Sequence, residues 1–348
     1  MKTQKDYSLP LDKFINFSLY EKNFGYYMKQ NPFGKNGDFI TAPNISRLFS
    51  EMIAIWVISF WQSLGFPKKL NLIELGAGNG EMMKVIIESL KNFPDFFKAC
   101  NFIIHEKSPA LKKIQKKKFL NDNLFWISKL NSIRKAPSIF IANEFFDAIP
   151  IKQFKKKNNL WFEKFVNFRN PKKAFFFEKK INIKKIEKKI NYKISKNQNF
   201  IEYSENGLKY LKKISQIIKK NSGGLLLIDY GYNDKKMKDT LQGISNHKFA
   251  NILENIGNVD ITHNINFNLF RNFINQMQNL DIKLTSQRDF LIKLGIKQRA
   301  EILSKNKSFL KKADIYYRVE RLINKNKMGD LFKVMLVKNN ENKFNLGF

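Results

Sequence analysis

The chain is 348 residues long, 43% hydrophobic and 14% aromatic, which suits one large α/β domain with insertions rather than a minimal fold. Its single cysteine, Cys100, excludes a disulfide framework, and His105, His247 and His263 lack paired-ligand spacing, so no metal centre is expected. The formal net charge of +33 is nearly all lysine and fits a nucleic-acid or anionic-membrane partner, but the lysines are scattered and lack an Arg-Gly-aromatic pattern. They are read as compositional drift over a generally basic surface.

In chain order, the N-terminus has no apolar run of a secretory signal. Met52–Phe60 is the most apolar segment, and at nine residues it is far short of a bilayer span, so it is expected as a buried helix. With no leader, transit peptide or transmembrane segment in view, a bacterial cytoplasmic location is expected. Residues 1–65 are read as an N-terminal helical extension packed on a domain of residues 66–348.

Apolar runs then alternate with amphipathic stretches, the rhythm of a parallel sheet with crossover helices. The expected strands are Leu70–Leu75, Phe102–Glu106, Leu124–Ile127, Ser138–Ala142, Gly223–Asp229, Lys283–Ser286 and Leu331–Val337. Helices are expected over Glu81–Leu90, from Ser108-Pro109 onward, and over Leu208–Lys219 before Asn221 and Gly223. Two regions interrupt the rhythm. Residues 151–200, after the fourth strand, read as a hairpin-bearing insertion with aromatic runs. Residues 233–267, after the fifth, read as a polar loop region.

The chemistry concentrates in Leu70–Glu88. An apolar strand runs through Gly76, Ala77, Gly78 and Gly80 into a helix, so the backbone can turn tightly and free N–H groups face a ligand. A dinucleotide site needs G-x-G-x-x-G, but Glu81 occupies the third glycine position, and Glu74 before the loop repels a pyrophosphate. Glu74 instead suits the ammonium of S-adenosylmethionine, which is the expected cofactor. Glu106, at the end of the second strand, is placed for both ribose hydroxyls. His105 beside it is expected to face away and pack.

Further motifs carry a family resemblance. They are Gly37–Ser46 (GDFITAPNIS), Ala142–Phe154 (ANEFFDAIPIKQF), Leu227–Gly231 (LIDYG), Asp239–Gln242 (DTLQ), Val259–His263 (VDITH), Phe290–Ile296 (FLIKLGI) and Met328–Met335 (MGDLFKVM). Together they resemble the MidA-like methyltransferases, the family of the mitochondrial complex I assembly factor. The resemblance implies a seven-stranded, mostly parallel Rossmann-like sheet that binds S-adenosylmethionine. It also implies methylation of a protein arginine in a respiratory complex I subunit or assembly intermediate. Three positions depart from the family pattern: Ala77 and Asn79 in a loop that usually reads G-P-G-R-G, and Asn44 where a glutamate is common.

Asn143, Glu144 and Asp147 follow the fourth strand, where the methyl group would move. Paired carboxylates hold a guanidinium and stabilise charge arriving on its nitrogen, so these three are the catalytic candidates. One carboxylate could instead cap a helix or pair with a lysine. Asp38 and Thr41 could fold over the cofactor. His247, His263, Asp229 and Tyr230 are candidate substrate contacts. A binding factor with little turnover and an RNA methyltransferase are the alternative functions; the absence of an Asn-Pro-Pro-aromatic segment disfavours base-amine chemistry.

Overall fold

The computed structural model describes residues 7–29, 41–119, 124–168, 174–245 and 248–348. Its centre is a mixed sheet. The seven strands of its main path are β1 Leu70–Leu75, β2 Cys100–His105, β3 Leu124–Ile127, β4 Ser138–Asn143, β5 Gly223–Tyr232, β6 Leu280–Ser286 and β7 Phe332–Asn339. Their order is β6-β7-β5-β4-β1-β2-β3, with β7 antiparallel to both neighbours. The pairs from β5 to β3 are all parallel. The sheet is eight-stranded, one more than expected, because Ile265–Asn266 pairs in parallel with Gly231–Tyr232. That added pairing also carries β5 past the expected end at Asp229.

Strands β1, β4 and most of β5 are buried on both faces, which is why they read as unbroken apolar runs. One face is covered by the helices Arg47–Ser63, Glu81–Leu90 and Phe309–Ile323, which share a core built on Trp56, Phe60, Met83 and Leu322. The other is covered by Glu205–Asn221 and Phe267–Asn275. The chain reverses its direction across the sheet between β1 and β4. A crevice therefore opens beyond their carboxyl ends, where ligands of such sheets bind.

The first sixty residues are not helical throughout. Ser8–Pro10 forms an edge strand, with Ser8 opposite Asn167 and Pro10 opposite Phe165. The helix Leu11–Tyr20 follows, and its Leu11, Phe14 and Ile15 pack on Ile151, Val166 and Ile261, which lie in the two interrupting regions. Residues 152–203 build a five-stranded antiparallel sheet with that edge strand and carry the helix Ile183–Ile190. The polar region 233–267 contains a three-stranded sheet of Gln242–Ser245, Lys248–Ala250 and Asp260–Thr262. Its polar composition hid short strands whose partners lie in their own vicinity.

The approach of β5 to β4 depends on one glycine. Gly223 has φ +121°, and a Cβ there would lie 2.0 Å from the Ser138 carbonyl oxygen. Gly223→Ala should therefore destabilise the protein by about 3 kcal/mol or more, since both the backbone and the strand pairing must shift. Urea unfolding measures this, and a loss below about 1 kcal/mol would show that the strands part readily.

Candidate functional site

The glycine loop leaves β1 at Gly76, whose φ is +66° and whose missing side chain makes room for Phe145. A Cβ at Gly76 would lie 2.8 Å from that ring. The Gly76 N–H donates to the His105 carbonyl, holding the loop against the end of β2. Gly80 starts the helix Glu81–Leu90 in the left-handed region, and Ala77 is packed into the core.

Glu106 lies one residue past β2, and its carboxylate is already partly engaged. Oε1 accepts from the backbone N–H groups of Lys107 and Ser108, both at 2.8 Å, and Oε2 accepts from Gln115 at 3.3 Å. Gln115 also donates to the Gly78 carbonyl at 2.8 Å, while its own oxygen accepts from Trp126. Gln115 thus fixes the spacing between loop and carboxylate. Nothing in the local pattern of its lysine-rich helix distinguished it.

Glu74 is buried beneath the loop, its carboxylate against the backbone of Met83, with Oε2 unpartnered. Burial pushes it up to about 8, against the opposing pull of the Met83 hydrogen bond.

On the opposite wall, Glu144 adopts φ +49°, an unusual conformation for a residue with a long side chain. Its N–H donates to the Ile228 carbonyl, and its Oε1 accepts from the N–H of Ala42 and the amide of Asn143, each at 3.3 Å. Burial, reinforced by Asp147, raises it to about 8. Asp147 accepts a short hydrogen bond from the Tyr230 hydroxyl. It neither caps a helix nor meets a lysine; burial raises its pKa, against the pull of Tyr230 and His263. The Oδ1 atoms of both Asn143 and Asp147 are buried without a hydrogen-bond partner.

Between these walls lies a cavity of about 270 Å³. Gly76, Gly78 and Glu106 border one side, Glu144 and Phe145 another, and Tyr20, Tyr27 and Met28 form a roof. Tyr210 and His105 also line it. His105 therefore borders the cavity instead of facing away from it. Burial lowers it to about 4, and it packs edge-on against Tyr210 and Phe145 as a neutral ring. The roof residues come from the N-terminal segment, outside every motif that announced the site.

Other expected contacts fall elsewhere. Asp229 is a correction: it is wholly buried, and its oxygens take the N–H groups of Phe146, Asp147 and Tyr230 at 3.2, 3.3 and 3.0 Å. It shapes the loop after β4 and leaves no oxygen for a substrate. Tyr230 is turned to Asp147. His263 is buried with its ring nitrogens 3.2 Å from the Ile149 carbonyl and 3.4 Å from that of Asn264. Thr41 caps no N–H; its hydroxyl accepts from Asn44 at 2.9 Å. Asp38 and His247 lie outside the described residues. Among the described residues, no group of three or more His, Cys, Asp or Glu is placed to hold a metal.

Two of the departures from the family pattern, Asn79 and Asn44, are partners. Asn79 donates to Asn44 Oδ1 at 3.0 Å, so a neutral amide contact joins the glycine loop to the 41–46 segment. An arginine and a glutamate at these positions would make the same link as an ion pair.

Comparison with known proteins agrees with this geometry. Residues 52–285 match the family described as "Putative S-adenosyl-L-methionine-dependent methyltransferase". The mitochondrial protein arginine methyltransferase NDUFAF7 of Danio rerio is 28% identical over 94% of this chain and 82% of its own length. The Homo sapiens protein of the same name is 27% identical over 88% and 75%. A Burkholderia thailandensis protein crystallised with S-adenosyl-homocysteine superposes with a TM-score of 0.81, at 21% identity, over 98% of this chain and 90% of that one. That likeness shows a methyltransferase-like α/β fold. The expected bacterial cytoplasmic location is overturned, because these curated relatives are named as mitochondrial. No helix among the described residues is long and apolar enough to cross a membrane.

The raised carboxyls give the site a pH signature. Glu74 and Glu144 go from 4.5 to about 8 on folding, so between those values the folded protein binds more protons than the unfolded chain. Their contribution to stability is full below about 4.5 and is lost as pH rises through about 8. The unfolding free energy of the unliganded protein should fall between pH 5 and 9, by up to about 1.4 kcal/mol per unit for each group. Urea titrations across that range test it, and Glu74→Gln with Glu144→Gln should reduce the slope, with Glu202, Asp147 and Asp229 supplying what is left. A wild-type profile already flat would refute the assignment.

Proposed function

Because the chain belongs to the S-adenosyl-L-methionine-dependent methyltransferase family, we propose that it methylates an arginine of a protein substrate, the activity named for its curated relatives. By the same resemblance the substrate is a respiratory complex I subunit or assembly intermediate. The observation that carries the reading is the meeting, in one cavity, of Gly76, Gly78 and Glu106 with Glu144. In this reading residues 1–65 act as a cap over a catalytic domain of residues 66–348.

The residues present fit the cofactor. Glu106 lines the cavity and its Oε2, held by one amide at 3.3 Å, keeps a lone pair for a ribose hydroxyl; Gly76 and Gly78 line the same cavity, and the unpartnered Glu74 Oε2 beneath them suits an ammonium reached through water. When bound, the cofactor supplies an electrophilic methyl group on a sulfonium. The chain then has to present a nitrogen to it and remove a proton.

Glu144, Asp147 and Asn143 suit that task. A guanidinium carries five N–H donors and no acceptor, while the Oδ1 atoms of Asn143 and Asp147 are buried acceptors without donors. Bringing a fixed cation beside Glu144 offsets the burial that keeps its proton on. Once ionised, its carboxylate localises the guanidinium charge on one nitrogen and receives the proton released as another nitrogen forms its bond to carbon. The Tyr230 hydroxyl holds Asp147 in place, and the left-handed backbone of Glu144 aims its side chain into the cavity.

Glu144→Gln should keep S-adenosylhomocysteine affinity within a few-fold by calorimetry while lowering kcat by about 100-fold or more. Unchanged turnover would remove Glu144 from the mechanism. Glu106→Ala should show the reverse emphasis, with weakened cofactor binding as the main loss. Methyl-labelling of a deletion-strain lysate with the purified protein, followed by mass spectrometry, identifies the acceptor. Labelled peptides free of arginine would sink the acceptor while leaving the cofactor standing.

A further inference from the structure

The helix Phe309–Ile323 has two apolar faces. Val319, Leu322 and Ile323 turn inward to the core. The outward face places Phe309, Ala313, Tyr316 and Tyr317 at helical spacings of four, seven and eight from its start. The tyrosines are partly engaged, Tyr316 by the Ser304 hydroxyl at 3.3 Å and Tyr317 by Lys327 over its ring, but the tips at the head of the helix stand out. Phe309 is 82% exposed, Leu310 beside it 78% and Tyr317 63%, with Ile302 of the preceding helix at 57%. Scattered apolar residues on a surface need no explanation, but adjacent side chains this exposed at the head of a helix form a ledge.

The charge next to the ledge tips is mainly positive. The segment reads Lys305-Asn-Lys307-Ser-Phe309-Leu310-Lys311-Lys312, and every residue from 305 to 314 is exposed. Asp314, the acid next in sequence, is occupied by Arg318 at 2.7 Å. Glu301 and Glu320 are the other exposed acids on the two helices, and Glu320 accepts from Asn324. Four lysines thus bracket two protruding hydrophobic side chains.

From this we infer that the ledge docks the protein on an anionic lipid bilayer surface, with Phe309 and Leu310 entering the acyl boundary and the lysines meeting lipid phosphates. Apolar tips flanked by basic residues, with tyrosines at headgroup depth, are what an interfacial helix presents to such a surface. The chain's net charge of +33 adds a long-range attraction of the same sign. A second copy is a poor occupant, because two such ledges would oppose lysine to lysine. A protein pocket is less suited than a lipid phase, because the ledge is convex and its tips are neighbours on an exposed turn. The inference does not depend on the methyl acceptor.

Co-sedimentation of the full chain with vesicles decides it. Binding to mixed phosphatidylcholine–phosphatidylglycerol vesicles should exceed binding to phosphatidylcholine alone and weaken as salt rises. Replacing both Phe309→Ser and Leu310→Ser should loosen binding to the anionic vesicles by at least about tenfold, given the apolar area withdrawn. Lys311→Glu with Lys312→Glu should loosen it by roughly tenfold or more. Unchanged thermal unfolding of each variant, expected for side chains this exposed, separates lost docking from lost fold. Undiminished vesicle binding by the serine variant would overturn the inference, leaving only diffuse attraction by lysines. So would an absence of vesicle binding by the wild type, or a wild-type dimer in sedimentation velocity that the serine variant abolishes.

Discussion

Asp229 stands at the carboxyl end of β5 with no exposure, and its two oxygens gather three main-chain N–H groups from the ends of β4 and β5. That clamp determines where the chain goes after β4. It draws the Phe146 and Asp147 backbone toward β5 and leaves Glu144 in a left-handed turn at the lip of the crevice. The arrangement is costly, because Asp147 and Asp229 are buried beside the half-buried Glu144: Asp147 raises the pKa of both the others, and Glu144 raises that of Asp229. Their direct side-chain partners are backbone N–H groups, an amide and a tyrosine hydroxyl, with His263 nearby. Such a cluster is relieved by a cation that enters it. The strain and the proposed preference for a guanidinium therefore have one origin.

The parts of this site written in consecutive residues were readable. The helix Glu81–Leu90 matched to the residue, because glycine spacing and apolar periodicity are local signals. Strand ends were less so: β5 extends to Tyr232 only because Ile265–Asn266 arrives beside it from over thirty residues away. Residues whose importance comes from another element were unreadable. Gln115 looks like any polar position on a basic helix until it bridges Gly78 and Glu106. Tyr20, Tyr27 and Tyr210 lie on elements that meet only in the fold. Asp229 shows the converse failure: a carboxylate beside a motif was read as a contact, yet its hydrogen bonds all point inward.

The roof is held at separate points. Tyr27 donates to both oxygens of Asp260, at 3.0 and 3.1 Å, and its carbonyl accepts from Ser108, the residue that caps the helix after β2. The VDITH motif, which contains Asp260, is thus a fastening for the N-terminal segment. Glu144 makes a third tie through the Ala42 N–H. Glu144 therefore belongs both to this fastening of the N-terminal segment and to the acidic wall.

The distribution of charge then constrains how an acceptor reaches the site. Asp147 and Asp229 are interior, whereas among the described residues Lys338 is the one buried lysine or arginine, so the surface is strongly basic. Within a Debye length of that surface, about 8 Å at physiological salt, an isolated arginine is repelled. Attraction begins only inside the crevice, where an arriving cation favours ionisation of Glu144 and surroundings of low polarity screen the resulting charge poorly. An arginine that arrives on an acidic or neutral segment crosses the repulsive zone without penalty, whereas one set among lysines does not. For the proposed activity, selection among protein arginines consequently operates on the flanking charge before the guanidinium meets the carboxylates.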